Sequence, residues 1–124
     1  MILSFVETTD FTESVAEYFV SDDAYAAFQW ALIDNPIRGD VMPGCGGLRK
    51  VRWPDLRRGK GKRGGLRIIY LHVPEVQQVL LLDVYDKDQA SDVTTEQRKA
   101  LAGLAKTFRQ ELIGRRTIKK RGMQ

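Results

Sequence analysis

Hydrophobic positions in the first third of the chain predict one short strand followed by two helices. Residues 2–6 form an apolar run that is β-branched in part, as expected for a strand. Apolar side chains then recur at intervals of three and four residues, which is the spacing of a buried helical stripe. Thr9 or Asp10 can cap the first helix and Ser21 the second. Pro36 ends the second helix because proline lacks a backbone N–H, and the two helices are expected to pack as an antiparallel pair.

The pattern changes after the second helix and predicts a sheet and then a final helix. A glycine-rich loop over 37–47 is followed by runs that predict strands at about residues 48–53, 66–73 and 76–85. Thr94-Thr95-Glu96-Gln97 has the spacing of a helix capping box. The apolar face of the last helix carries Leu101, Leu104, Ala105, Phe108 and Leu112. This order of elements predicts an α+β fold with a mostly antiparallel sheet of about four strands.

Length and composition are those of one domain. The chain has 124 residues, of which 43% are hydrophobic, enough for one core but too few for two ordinary domains. We assign residues 1–113 to that domain and residues 114–124 to a loose basic tail, which lacks an apolar stripe. One cysteine and one histidine exclude an internal disulfide and a zinc site built from those ligands, and no cofactor is expected. No apolar run approaches the roughly 20 residues that span a bilayer. No leader is visible at the start either, so a cytoplasmic protein without a membrane partner is expected.

The net charge of +4 conceals two basic segments separated by acidic ones. In chain order the net charges of the four segments are −7 (residues 1–46), +8 (47–67), −4 (68–95) and +7 (96–124). In the central segment the bases are interleaved with glycines and Trp53, which let backbone approach a polyanion and offer a ring on which a base can stack. This pattern favours nucleic acid over a membrane surface, because no basic amphipathic helix places these charges opposite an apolar face.

Alternation along the predicted strands places several cations together. In the strand at 48–53, Lys50 and Arg52 share one face because side chains alternate with a period of two. Arg67 begins the next predicted strand. If these antiparallel strands are neighbours, one patch also receives the residues at the end of the last strand, Tyr85 and Lys87. A patch of this composition, without paired histidines or carboxylate ligands, points to metal-free cleavage of a phosphodiester.

Such cleavage of RNA requires a base and cations. The 2′-hydroxyl attacks its neighbouring phosphate, a side chain takes the proton, and cations stabilise the extra negative charge. The alternative is a non-catalytic protein that binds RNA or the ribosome through the same basic surface. A DNA-binding repressor is disfavoured, since no predicted helix combines the turn and the basic face of a helix-turn-helix reader.

Three longer motifs carry a resemblance to a known family. They are Gly39-Asp40-Val41-Met42-Pro43-Gly44-Cys45-Gly46-Gly47-Leu48-Arg49-Lys50-Val51-Arg52, Gly59-Lys60-Gly61-Lys62-Arg63-Gly64-Gly65-Leu66-Arg67-Ile68-Ile69-Tyr70 and Leu82-Asp83-Val84-Tyr85-Asp86-Lys87. With these motifs, residues 2–112 resemble the HigB-like branch of the RelE toxin superfamily. The resemblance implies a RelE-like twisted sheet with an N-terminal helix pair on one face and a C-terminal helix. It also implies the toxin of a type II toxin–antitoxin system, with a cognate antitoxin as its protein partner. Such a toxin is a ribosome-dependent mRNA endonuclease (mRNA interferase) that inhibits translation.

The resemblance implies roles for individual residues as well. Lys50 and Arg52 stand where family members act on the RNA, and Arg67 stands where the scissile phosphate is held. Lys87 corresponds to the family's cation at the end of the last strand. Several members carry a catalytic tyrosine near the C-terminal helix, where this chain has none, so Tyr85 and Lys50 remain alternatives as the base. Further contacts with RNA or the ribosome are expected from Arg49, Arg57, Arg58, Lys60, Lys62 and Arg63.

Overall fold

A computed structural model of the chain describes residues 3–57, 65–86 and 94–122, the last of these ranges as backbone from residue 116 onward. The described helices are α1 (Thr9–Tyr18), α2 (Asp22–Asp34) and α3 (Thr95–Gly122). The described strands are β1 (Ser4–Glu7), β2 (Asp40–Val41), β3 (Arg49–Trp53), β4 (Leu66–Val73) and β5 (Gln78–Asp86). The fold is α+β, as the element order predicts.

The helices begin at side chains that accept hydrogen bonds from their first turns. The Thr8 hydroxyl accepts from the Phe11 N–H at the start of α1, so the cap lies one residue before Thr9 and two before Asp10, the predicted candidates. Ser21 caps α2 as predicted. The predicted capping box of α3 is confirmed. The Gln97 N–H donates to Thr94 Oγ1 at 3.1 Å, and the Thr94 N–H donates to Gln97 Oε1 at 2.8 Å. Local capping chemistry therefore sets where each helix starts.

The described part of the chain forms one mixed sheet of five strands in the order β1-β5-β4-β3-β2. β1 runs parallel to β5, and the other neighbouring pairs are antiparallel. The sequence predicts about four strands, one fewer than this, because β2 is a two-residue strand inside the glycine-rich loop. A strand that short has no alternation to reveal it. β2 pairs with β3 and forms the edge of the sheet.

The two faces of the sheet are covered by different helices. On one face α1 and α2 enclose an aromatic core whose buried members include Phe11, Tyr18, Phe19, Phe28, Leu32, Val51, Ile68 and Tyr70. On the other face α3 packs on a second core that includes Met42, Cys45, Leu48, Ile69, Leu71, Leu80, Ala105 and Leu112. Successive residues of β4 alternate between these cores, so Arg67 lies on the α3 side of the sheet.

The glycine-rich loop before β3 packs closely against α3. Gly46 has a φ of +69°, and a Cβ added there would lie 3.0 Å from the Ala102 carbonyl oxygen and 3.1 Å from the Ala105 Cβ. A side chain at this position would have to displace the helix, so only glycine allows this approach. The loop thereby sets the distance between the start of α3 and the sheet.

The third helix continues through residues that we expected to form a loose tail. α3 ends at Gly122, so the basic segment after residue 113 begins as helix. Arginine and lysine are good helix formers, and cations near a helix C-terminus interact favourably with its dipole. In the parts of the chain that the structure describes, no helix combines the length and apolar character that crossing a membrane requires.

Candidate nucleic-acid interface

A cavity of about 350 Å³ opens on the α3 side of the sheet, where β2, β3 and β4 meet the start of α3. Its described lining consists of Asp40, Val41, Met42, Pro43, Cys45, Lys50, Arg52, Arg67 and Arg98. Three of the five sequence-predicted catalytic residues, Lys50, Arg52 and Arg67, therefore meet in one place. We call these three together with Arg98 the cationic cluster. The cavity is within the size range of ligand-binding clefts.

Strand pairing brings the first three cations together. Arg52 of β3 and Arg67 of β4 are direct Cα partners in the antiparallel ladder. Lys50 lies two residues before Arg52 on β3 and therefore on the same face of the sheet. Like charges directly opposite one another destabilise an antiparallel pair. The sheet thus holds two arginines in an arrangement that is unfavourable for folding alone.

In the described lining of the cavity, cationic side chains outnumber carboxylates. Within the described residues, no ion pair joins Lys50, Arg52 or Arg98 to a carboxylate. Asp40 is the one carboxylate in the described lining, and although it pairs with Lys50 in the β2–β3 ladder, the two side chains form no ion pair. Among the described residues, Lys50, Arg52 and Arg98 against one carboxylate create a positive potential that concentrates anions.

Arg98 is the member of the cationic cluster that sequence reasoning missed. It belongs to the first turns of α3, where its N–H donates to the Thr94 carbonyl. The apolar stripe that predicts this helix does not include Arg98. The sequence does contain a sign that Arg98 has a special role. It follows the capping box closely, and cations are unusual at the positive end of a helix.

Tyr85 lies next to the cavity rather than in its described lining. It is the Cα partner of Arg67 on β5 and packs, partly buried, against the core on the α3 side. Arg52, Arg67 and Tyr85 therefore form one cross-strand row on one face of the sheet. Lys87, the fifth predicted catalytic residue, lies outside the described residues.

Arg57 lies outside the described lining of the cavity, and its contact with RNA stays a prediction. Its guanidinium donates to both carboxylate oxygens of Asp55, with Nε to Oδ1 at 3.0 Å and Nη2 to Oδ2 at 2.9 Å. It also pairs with Asp86 at 3.5 Å and lies over the Tyr18 ring, 4.5 Å from the centroid. The hydrogen bonds from Arg57 hold the pKa of the buried Asp55 carboxyl below its usual value. These contacts compensate the charge of Arg57 and give it a structural role beside Asp55 and Tyr18.

Arg49 is also separated from the cationic cluster, as strand alternation predicts. Its Nη1 donates to the carbonyls of Gly39 at 2.8 Å and Ile37 at 3.4 Å. The Tyr70 hydroxyl donates to the Pro36 carbonyl at 2.8 Å and accepts from the Gly39 N–H. Arg49 and Tyr70 together tie the loop after α2 to the sheet, so the role that the structure supports for Arg49 is positional.

The remaining predicted contacts lie outside the described residues: Arg58, Lys60, Lys62 and Arg63. Among the residues that the structure does describe, no group of three or more histidine, cysteine, aspartate and glutamate side chains is arranged to hold a metal ion. The histidine, His72, lies five residues along β4 from Arg67, roughly 16 Å away at 3.3 Å per residue. No protein-family model matches the chain. The cavity and the sequence motifs are therefore the observations that bear on function.

Proposed function

We propose that this chain is the toxin of a type II toxin–antitoxin system, similar to the HigB-like branch of the RelE superfamily. In this proposal it is a cytoplasmic endoribonuclease that enters the ribosomal A site and cuts the messenger RNA being translated. The observation that carries the proposal is the cross-strand pair Arg52–Arg67 beside Lys50, in a cavity with one carboxylate in its described lining.

A phosphodiester is the ligand that suits this cavity. Cleavage of RNA by its own 2′-hydroxyl forms a bond from O2′ to phosphorus and breaks the bond from phosphorus to O5′. The products are a 2′,3′-cyclic phosphate and a 5′-hydroxyl. One proton leaves O2′ for a base, and one proton reaches O5′ from an acid. Between these events the phosphorane carries extra negative charge, which positioned guanidinium groups stabilise.

The proposed roles follow from the strand positions of Lys50, Arg52, Arg67 and Tyr85 and, for Lys87, from the resemblance to HigB-like toxins. Arg67 stabilises the charge that develops on the phosphate, since it lies between β3 and the end of β5 in the sheet. Lys50 takes the proton from O2′ or activates it electrostatically. Arg52 binds the phosphate, and Lys87 supports the leaving group. Tyr85, next to Arg67 in the cross-strand row, is the alternative proton-transfer residue.

A second candidate is a non-catalytic protein that binds RNA or the ribosome through the cationic cluster. The observation in its favour is that the described lining of the cavity contains neither histidine nor tyrosine, the side chains most suited to moving protons at neutral pH. Both candidates use the same cavity and differ in whether a bond is broken.

The proposed partner is an antitoxin that covers the cationic cluster with an acidic segment. Attraction of this kind between exposed charges weakens with salt. We expect the antitoxin to bind less tightly as ionic strength rises, and to bind a Lys50→Gln/Arg52→Gln variant less tightly than the wild type. Equal, salt-insensitive binding to both proteins would contradict this mode.

Mapping of messenger 5′ ends in a translation extract separates the two functions. Purified wild-type protein is added to the extract, with untranslated messenger RNA and an Arg67→Ala protein as controls. We expect new 5′-hydroxyl ends on translated messenger, their absence on untranslated messenger, and few or none with Arg67→Ala.

Each other outcome is informative. Translation arrest without new ends would establish a ribosome-binding inhibitor. Cuts that persist undiminished with Arg67→Ala would remove that residue from the mechanism. An extract that translates normally with excess wild-type protein would contradict both functions.

A further inference from the structure

We infer that Arg98 is a fourth phosphate-binding residue of the cavity, supplied to the sheet by α3. The inference rests on the proposed function, in that it takes the phosphodiester of single-stranded RNA as the ligand. Arg98 lines the same cavity as Lys50, Arg52 and Arg67, and within the described residues no carboxylate pairs with it. The family resemblance stated above assigns no role to this position.

The place of Arg98 in the helix is unfavourable for folding alone. α3 is capped by Thr94, so its backbone N–H groups and the positive end of its dipole lie within one turn of Arg98. Acidic side chains are the ones that stabilise this end of a helix. An anion bound beside Arg98 would be attracted both by the guanidinium and by the helix end.

The glycine-rich loop explains how Arg98 reaches the cavity. The Cδ of Arg98 lies 3.9 Å from where a Cβ on Gly44 would be, so the side chain passes beside the loop. Gly46, with its close approach to Ala102 and Ala105, holds the helix at this distance. The glycines of the motif thus position α3 so that one of its arginines completes a site built mainly by the sheet.

Lys99 provides a matched comparison. It is the next residue of the same helix and carries the same charge, but it is exposed and does not belong to the described lining of the cavity. A general effect of charge on RNA affinity would be similar at both positions. A phosphate contact inside the cavity would affect Arg98 alone.

The first measurement is binding of the full-length chain to a short single-stranded RNA with 2′-O-methyl groups, which block cleavage, over a series of salt concentrations. Log K falls as log salt rises, and removing one phosphate contact makes this negative slope shallower by about 0.7. Relative to 1 M salt, that change corresponds to about fivefold weaker binding at 0.1 M salt. We expect this change for Arg98→Gln and less than a twofold change for Lys99→Gln. Arg67→Ala serves as the positive control.

The second measurement does not depend on RNA. Inorganic pyrophosphate is titrated into isotopically labelled full-length protein while the Nε–Hε resonances of the arginines are followed. We expect Arg52 and Arg98 to shift together with one apparent Kd. Arg57, which is held by Asp55, should not shift with them.

The outcomes separate the inference from the proposed function. If Arg67→Ala weakens RNA binding while Arg98→Gln and Lys99→Gln behave alike, the inference is wrong and the proposed function stands. If pyrophosphate shifts Arg52 and Arg98 but wild-type protein binds no RNA, the four-cation site stands and RNA is not its ligand. If pyrophosphate shifts the resonance of neither Arg52 nor Arg98 and the protein does not bind RNA, the inference and the proposed function are both wrong.

Discussion

Arg57 and the pair Arg52–Arg67 come from one basic segment of the sequence but have different surroundings in the fold. Arg57 lies among carboxylates: Asp55 is fully buried, Asp86 is nearly so, and the Arg57 side chain is 26% exposed. Arg52 faces Arg67 across the sheet, with Lys50 and Arg98 nearby and Asp40 as the one described carboxylate of the cavity. Within the described residues, Arg57 has two carboxylate partners and Arg52 has none, although both are arginines.

This difference indicates what each group is for. A buried carboxylate with three hydrogen bonds from Arg57 stabilises the fold, because removing either partner leaves a charge without compensation. A cluster of like charges is a cost to the fold, and that cost is offset when an anion binds. We therefore expect substitutions near Arg57 to change stability, and substitutions in the cationic cluster to change function.

The largest expected effect is on cleavage at the cationic cluster. Arg67→Ala should lower the rate of ribosome-dependent cleavage by about 10²–10³, the usual loss when one preorganised donor is removed from a transition-state site. The variant should remain folded, as circular dichroism can verify. Lys106→Ala, which removes a cation from an exposed position of α3, should cleave at the wild-type rate. Equal losses for the two variants would mean that overall charge, and not the cavity, matters.

The next largest expected effect is a loss of stability when the Asp55–Arg57 ion pair is removed. Asp55→Ala should lower the free energy of unfolding by about 3 kcal/mol, because Arg57 then loses its main partner in a largely buried site. Urea unfolding measures this loss, and Glu13→Ala on the exposed side of α1 is the control. A change below 1 kcal/mol in Asp55→Ala would mean that the ion pair contributes little to the fold.

The same ion pair makes a prediction about pH. The folded-state pKa of Asp55 lies below its ordinary value of 3.8, chiefly because Arg57 donates hydrogen bonds to the carboxylate. Its contribution to stability is therefore present above pH 3.8 and is lost as pH falls through the lower, folded-state pKa. The stability difference between wild type and Asp55→Ala should be constant near neutral pH and should narrow in acid. A stability difference between the two proteins that grows as pH falls would contradict a lowered pKa of Asp55.

A smaller effect concerns the loop that brings Arg98 to the cavity. Gly46→Ala should cost about 2 kcal/mol of stability, because alanine is strained at a φ of +69° and its Cβ would collide with α3. Gly103→Ala is the matched control. An added Cβ there meets no atom within 4 Å, so helix propensity alone should stabilise the protein by about 0.5–1 kcal/mol. Thermal unfolding of both variants measures the two changes in stability. An unchanged stability in Gly46→Ala would show that the loop does not constrain the helix.

The smallest effect has the opposite sign. Arg52→Gln should raise the free energy of unfolding by about 0.5 kcal/mol, since it relieves the repulsion from Arg67 directly across the ladder. The gain should shrink as salt is added, because salt screens exposed charges. Urea unfolding at low and high ionic strength tests this. A loss of stability at low salt would mean that Arg52 makes a net favourable contribution to the fold.

Much of the secondary structure follows from local patterns. The helix caps at Ser21 and Thr94 and the strand β4 are where the sequence predicts them. β2 and the length of α3 were not predicted, because a two-residue strand has no periodicity and a basic segment without an apolar stripe gives no helical signal. Pairing with β3 creates the strand, and continuation of an existing helix extends α3, which avoids a new nucleation step.

The sequence by itself determined the α+β class and the shared face of Lys50 and Arg52, because capping and strand alternation act over a few residues. Only the tertiary structure decided that Arg52 lies opposite Arg67 and that Arg98 joins them. It also decided that Asp86, 29 residues away in the chain, lies beside the Asp55–Arg57 pair as a second carboxylate. Strand register and helix docking depend on contacts between distant segments. Charge in the sequence therefore located the basic segment, and long-range packing decided which of its described cations line the cavity.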